Sequence, residues 1–118
     1  MNRQPYQKPP RWWSPLLSRC WVYCWRPWRK HLQRNKHRLL DIDVRGLDHV
    51  REALARGNGV LLTPNHSSHA DCFVMYTAAD ELGCPVYSMI AWQNFTRDGW
   101  LKQIALRQHG GFSVDREG

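Results

Sequence analysis

The stretch TPNHSSHAD at residues 63–71 concentrates side chains that are able to carry out proton transfer. It contains two histidines, two serines, an asparagine and an aspartate directly after the apolar run Val60-Leu61-Leu62. The imidazole side chain, with an ordinary pKa of about 6.5, is suited to removing a proton from an alcohol near neutral pH. The stretch is therefore a candidate site for general-base catalysis. A capping turn with polar side chains is the alternative interpretation.

His66 and Asp71 are the pair in this stretch that general-base catalysis would use. On an ideal helix, a separation of five residues places two side chains about 140° apart, so they would not share a face. Pro64 is expected to end the preceding strand, and Ser67 or Ser68 is able to cap the following helix. A turn would then bring the carboxylate to one ring nitrogen, where it fixes the tautomer and stabilises the imidazolium. If the substrate's own hydroxyl is the nucleophile, no enzyme nucleophile is required.

The elements around this stretch predict an α/β domain, with a largely parallel sheet flanked by helices. Helices are expected from Leu47 to the Gly57 region, over 71–82 and over 100–109. In a parallel sheet the functional loops follow the carboxyl ends of the strands, which is the position of TPNHSSHAD. The predicted strands are Asp41–Val44, Val60–Thr63, Val86–Ala91 and Phe112–Val114.

The first 40 residues differ in composition from the remainder. The chain has 118 residues and a net charge of +7, and ten arginines and lysines but no acidic residue precede Asp41. Five of the seven tryptophans also fall there. We predict two parts, a basic, Trp-rich tail with helices over 1–40 and a catalytic domain over 41–118. Residues 1–11 are expected to be an extended tail, and Ser14-Pro15 is expected to start a helix.

Apolar residues between Leu17 and Leu32 recur at helical spacing, with basic residues between them. This pattern is typical of a helix that lies in a membrane interface, with aromatic rings at the headgroups and cations facing anionic lipid. Pro27 lacks a backbone donor, so two short helices are expected rather than one. An aromatic stripe packed on the rest of the protein and a nucleic-acid surface are the alternatives, and the Trp spacing argues against nucleic acid. The predicted membrane-surface residues are Trp21, Trp25, Trp28, Arg29 and Lys30.

Several classes of protein do not fit the sequence. No apolar run approaches the roughly 20 residues that cross a bilayer, and the first residues lack the core of a signal peptide. The four cysteines have no CxxC spacing, so reduced thiols are expected. His66, His69 and Cys72 do not complete a set of zinc ligands, so no metal is expected. These features favour a peripheral protein at the cytoplasmic face of a membrane.

Two segments, VLLTPNHSSHAD and GGFSVDREG, carry a resemblance to a known family. Together they resemble the phospholipid/glycerol acyltransferases, which include the 1-acylglycerol-3-phosphate acyltransferases. The family's first block is an Asn-His pair and, after four further residues, an Asp. Its second block has a glycine and apolar or aromatic residues that lead to an arginine. The matching residues here are Asn65, His66 and Asp71, and then Gly111, Phe112, Val114 and Arg116.

The resemblance implies transfer of a fatty acyl group from acyl-CoA or acyl carrier protein to a hydroxyl of a glycerolipid such as lysophosphatidate. It implies that His66 is the general base and Asp71 its orienting partner, without a metal or organic cofactor. Arg116 matches the arginine that binds the acceptor's phosphate, a role suited to a planar guanidinium. The other substrate-binding residues implied are Asn65, Ser67, Gly111 and Phe112.

The sequence departs from the family after Arg116. Family members continue into a Pro-Glu-Gly block that contributes to the acceptor site and into a fourth block with proline, and neither is present in these 118 residues. The chain is therefore expected to be the amino-terminal portion of an incomplete acyltransferase domain. The alternative is a peripheral membrane-binding module without catalysis. The sequence does not indicate an oligomeric state, the acyl-chain length or the acyl donor.

Overall fold

The computed structural model describes residues 6–115 of the chain. These residues form two compact units. The strand unit comprises the described residues up to Cys24 and those from Val86 onward, and the helical unit comprises Trp25–Pro85. The elements, in chain order, are α1 Arg19–Cys24, α2 Arg26–Asn35, α3 Leu47–Ala55, α4 Asp71–Leu82, β1 Ser88–Ala91, α5 Gln93–Thr96, α6 Gly99–Gln108 and β2 Gly111–Val114.

The strand unit is built on one strand–helix–strand connection. β1 and β2 pair in parallel, with Ser88 opposite Gly111 and Ala91 opposite Val114. Parallel neighbours need a long crossover connection, which α5 and α6 provide here. The two strands and the helix predicted in this part of the sequence are confirmed. Its buried aromatic core consists of Trp13, Trp92 and Phe95, with Ile90 and Leu106 packed against it.

Trp13 and the residues between it and α1 pack on the strand unit. Trp13 is 4% exposed and stacks on Phe95 with 5.6 Å between ring centroids. The Trp13 amide donates to Ser113 Oγ at 2.9 Å, and the Ser113 amide donates to the Trp13 carbonyl at 3.0 Å. A helix start at Ser14 is therefore wrong, because backbone groups here bond to residues about 100 positions away instead of to a helical turn. α1 begins at Arg19.

The break between α1 and α2 confirms the expectation of two short helices. Trp25 separates them, and Pro27 lies in the first turn of α2. Proline is tolerated in a first turn because the amide it lacks would have no helical partner there. α1 belongs to the strand unit and α2 to the helical unit.

The helical unit contains α2, α3 and α4. The α3 helix begins after Gly46, which has a φ of 79°, and α4 ends before Gly83, which has a φ of 67°. Glycine adopts this left-handed backbone without the clash that a Cβ would cause. Arg51 of α3 donates to the Glu81 carbonyl in α4 at 2.9 Å. The predicted helix over 71–82 is confirmed at both ends, and α3 lies where a helix was expected.

Two predicted strands are wrong. Residues 41–46 and 58–68 have no strand or helix assignment, and Leu61 is 81% exposed. An apolar run becomes a strand only when a neighbouring strand satisfies its amides and carbonyls. In residues 6–115 the sheet contains β1 and β2 only. The chain is thus helix-rich, with a small parallel sheet in place of the larger one that was predicted.

None of the helices described is long and apolar enough to cross a membrane. The longest, α4, has 12 residues, whereas a spanning helix needs about 20.

Candidate active site

The His66–Asp71 pair is formed by the turn that leads into α4. Asp71 is the first residue of that helix, and its Oδ2 lies 3.1 Å from His66 Nδ1. The same oxygen accepts from the backbone amides of Ser67, at 2.7 Å, and Ser68, at 2.9 Å. Consecutive backbone amides form a concave group of donors that holds an anion, and the helix N-terminus adds a favourable dipole. The carboxylate is therefore held by the main chain as well as by the imidazole.

These contacts lower the pKa of Asp71 below its ordinary value of 3.8. The hydrogen bond from the Ser68 amide is the largest cause, and partial desolvation opposes it by favouring the neutral acid. The Ser67 amide and then His66, through its hydrogen bond and its charge, lower the pKa further. Asp71 is consequently an ionised acceptor at neutral pH.

The contact with Asp71 also favours one tautomer of the His66 imidazole. A carboxylate beside Nδ1 favours the tautomer in which Nδ1 carries the hydrogen, so that Nε2 carries the lone pair. The His66 side chain is 77% exposed, whereas the Asp71 side chain is 24% exposed. The acidic partner is thus sheltered in the turn while the basic partner is open to a substrate. This arrangement is able to take a proton from a hydroxyl group.

The other polar residues of the turn have mainly structural contacts. Ser68 Oγ accepts from the Ala70 amide at 3.1 Å, which stabilises the turn before α4. Cys72 Sγ donates to the His69 carbonyl at 3.6 Å. Asn65 and Ser67 are exposed, and their roles toward a substrate stay predictions. Among residues 6–115, no group of three or more His, Cys, Asp or Glu side chains is arranged to hold a metal ion.

Gly111 and Phe112 belong to the strand unit. Gly111 starts β2, and a Cβ there would lie 2.7 Å from Ile90 Cδ1 and 2.7 Å from the Leu106 carbonyl oxygen. The Phe112 ring lies 6.0 Å from that of Trp12, centroid to centroid. Both residues therefore have packing contacts that account for their type, and substrate binding stays a prediction. Arg116 lies outside the described residues.

Replacing Gly111 with alanine separates packing from substrate binding. We expect Gly111→Ala to lower the free energy of unfolding by about 1–3 kcal/mol, because its methyl group overlaps backbone as well as side chain. Urea unfolding measures this, with Gly59→Ala as control, since a Cβ at Gly59 meets nothing within 4 Å. A stable Gly111→Ala protein that binds its acceptor poorly would contradict the packing role.

The five residues predicted at a membrane surface do not share one environment. Trp21 is 49% exposed and Trp28 is 53% exposed, and Lys30 is exposed as well. Trp25 is partly buried. Arg29 is 7% exposed, so its prediction as a surface cation is wrong. The reason is Asp80, whose carboxylate lies 51 residues away in the sequence and accepts two hydrogen bonds from Arg29.

Two partners in these contacts were not among the candidate residues. Asp80 and Ser113 were placed in a helix and a strand without a role, yet Asp80 binds Arg29 and Ser113 binds Trp13. The sequence offers one clue to Asp80, an acid in a mostly apolar helix. It offers none to Ser113, because its hydroxyl bonds to a main-chain amide that every residue type except proline possesses.

The lowered pKa of Asp71 predicts a dependence of stability on pH. Its folded-state pKa lies below 3.8, so ionised Asp71 stabilises the fold above that pH, and this contribution is lost as the pH falls through the lowered pKa. We expect the stability difference between wild type and Asp71→Asn to be smaller at about pH 3 than at about pH 6. Urea unfolding of both proteins at both pH values measures it. A difference that does not change with pH would contradict the ionised carboxylate.

Comparison with known proteins identifies the family. The Acyltransferase family model matches residues 41–118, which is 78 of 118 residues and includes His66 and Asp71. The chain therefore belongs to the Acyltransferase family. No curated protein and no solved structure matches it. The small parallel sheet and its helical connection are compatible with an α/β acyltransferase domain.

Proposed function

We propose that the protein transfers a fatty acyl group from acyl-CoA or acyl carrier protein to a hydroxyl of a glycerolipid such as lysophosphatidate. Membership of the Acyltransferase family supports acyl transfer in general. The observation that carries the catalytic part is the 3.1 Å contact between Asp71 Oδ2 and Nδ1 of an exposed His66. That geometry leaves one imidazole nitrogen for the acceptor and gives the other a carboxylate.

In the proposed mechanism, His66 Nε2 removes the proton from the acceptor hydroxyl as its oxygen attacks the thioester carbonyl. The ionised Asp71 stabilises the imidazolium that results, as a triad aspartate does. The tetrahedral intermediate then expels the thiolate, which receives the proton from His66. The C–S bond breaks, the C–O bond forms, and the imidazole returns neutral. No enzyme nucleophile, metal or organic cofactor takes part.

Arg116 is the proposed contact for the acceptor's phosphate, because a guanidinium offers paired donors and a permanent charge. Asn65, Ser67, Gly111 and Phe112 are also proposed as substrate-binding residues. We also propose a peripheral position at the cytoplasmic face of a membrane. Exposed Trp28 and Lys30 on α2 support this, since each cation near an anionic bilayer contributes about 1 kcal/mol of binding energy.

The assay supplies the purified chain with acyl-CoA or acyl carrier protein and with lysophosphatidate in anionic vesicles. We expect release of the free thiol together with the doubly acylated lipid, and slower transfer to monoacylglycerol, which lacks the phosphate. If no acceptor is acylated while the chain still sediments with the vesicles, the result supports the alternative of a membrane-binding module without catalysis. The exposed Trp28 and the exposed cations Lys30 and Arg34 of α2 are the observation that favours this alternative.

A further inference from the structure

The helix α2 is attached to α4, the helix that begins with Asp71. Nη2 of Arg29 donates to both carboxylate oxygens of Asp80, at 2.9 and 3.1 Å. Arg26 Nε lies 3.4 Å from the same carboxylate, and the Arg29 guanidinium lies over the Tyr76 ring at 5.4 Å. Arg29 and Asp80 have side chains that are only 8% and 16% exposed. This is a largely buried ion pair, and removal of one partner from such a pair is destabilising.

A second contact gives the direction of the two helices. Past the end of α2, the His37 ring lies 4.8 Å from the Phe73 ring, near the start of α4. Arg29 touches Asp80 and Tyr76, which lie one to two turns further along α4. Phe73 and Asp80 are seven positions apart, which corresponds to about 10 Å along the helix. α2 therefore runs antiparallel to α4, and its carboxyl end lies near the helix start that holds Asp71.

Several other residues of α2 are exposed, and basic residues are among them. Trp28 is 53% exposed and its ring stacks on that of His31 at 5.8 Å. Lys30 and Arg34, one helical turn apart, are exposed as well. The α2 helix carries no acidic residue. The cations of α2 are thus divided, with Arg29 turned toward α4 and Lys30 and Arg34 turned to solvent.

We propose that Arg29 and Asp80 are a positioning pair that holds the exposed cations of α2, Lys30 and Arg34, at a set place relative to the His66–Asp71 turn. The proposal rests on the acyl transfer and membrane contact described under the proposed function. It assigns the two kinds of cation different tasks: Lys30 and Arg34 bind anionic lipid, whereas Arg29 does not contact lipid at all. A glycerolipid acceptor in a bilayer then meets the site in one orientation.

The test compares Arg29→Gln with Arg34→Gln, because each removes one positive charge from the same helix. Each protein is assayed with two acceptors, long-chain lysophosphatidate in anionic vesicles and a short-chain lysophosphatidate dispersed below its critical micelle concentration. For Arg29→Gln we expect transfer at the vesicle surface to fall by on the order of tenfold or more, because the site is misplaced relative to the bilayer. Transfer to the dispersed acceptor stays within about threefold of wild type, since the local His66–Asp71 turn is intact.

For Arg34→Gln we expect a loss of vesicle binding without misplacement of the site. Vesicle binding weakens about fivefold for one cation lost, and transfer at the vesicle surface falls by no more than that factor. Asp80→Asn should behave like Arg29→Gln, and the double variant should be no worse than either single one, because the two residues act as one pair. Equal behaviour of Arg29→Gln and Arg34→Gln would overturn the proposal. Loss of transfer to both acceptors in Arg29→Gln would overturn it too, since the pair would then only maintain the fold.

A readout that needs no catalysis separates this proposal from the proposed function. If wild type acylates neither acceptor, the proposed function fails, and the pair is judged by amide hydrogen exchange in residues 26–35 of the protein without vesicles. Faster exchange in Arg29→Gln but not in Arg34→Gln supports the attachment of α2 to α4. Equal exchange in the two variants overturns it.

Discussion

His66→Ala is expected to lower the rate of acyl transfer by about 10²- to 10⁴-fold, the usual contribution of a general base. The reason is that the exposed imidazole has the Asp71 carboxylate 3.1 Å from Nδ1, and alanine leaves no group to accept the hydroxyl proton. Stability should change by less than about 0.5 kcal/mol, as at other exposed positions. Initial rates with lysophosphatidate and urea unfolding measure the two quantities.

His69→Ala is the matched control for this prediction. His69 lies in the same turn and is exposed, and the contact that involves it is made by its carbonyl, which alanine keeps. Its rate should equal that of wild type. Full activity of His66→Ala would exclude the proposed base. If both variants lost the same fraction of the rate, the cause would be a changed conformation of the turn and not the loss of a catalytic group.

Trp13→Ala is expected to lower the free energy of unfolding by about 3–5 kcal/mol, the range for a large buried aromatic side chain. Trp13 is 4% exposed, stacks on Phe95 and belongs to the buried aromatic core of the strand unit. Removal of its ring leaves a cavity beside the other core residues. Because typical domains are stable by only 5–15 kcal/mol, a loss of this size is large. Urea unfolding monitored by circular dichroism measures it.

Trp100→Ala is the matched control, because it removes a tryptophan of the same unit that is 67% exposed. Its effect should stay within about 0.5 kcal/mol. If Trp13→Ala were equally mild, Trp13 would not be part of the core. Such a result would favour the prediction that residues 1–40 are a part distinct from the domain over 41–118.

Arg29 and Trp13 show which contacts a sequence pattern does not reveal. Both lie in the basic, Trp-rich part of the chain, where Arg29 was predicted at a membrane surface and Trp13 had no predicted role. Arg29 is buried because Asp80 supplies a counter-charge, and Trp13 is buried because Phe95 supplies a stacking surface. These partners are 51 and 82 residues away, as the numbering shows, and no local period reveals such pairs. Trp28 and Lys30 are exposed, and their contact with a membrane stays a prediction.

Local interactions were determined by the sequence itself. The break at Pro27 follows from a missing amide, and the α4 helix over 71–82 follows from its own residues and the glycine after it. The contact between His66 and Asp71 spans five residues, so a single turn is sufficient to make it. The proposed catalytic pair is therefore readable before any fold is known. The division of the chain into a basic, Trp-rich part over 1–40 and a domain over 41–118 stays a prediction.

The tertiary structure alone decided the outcome wherever a group needed a distant partner. Val60–Thr63 has the composition of a buried strand, yet a strand exists only when another strand accepts its hydrogen bonds, and Leu61 is exposed here. The fold likewise decided that Asp80 binds Arg29 and that Ser113 binds Trp13. Hydrogen bonds and ion pairs between remote residues depend on how the chain folds back, whereas turns and helix ends depend on neighbours. That difference in range separates what the sequence determined from what the fold decided.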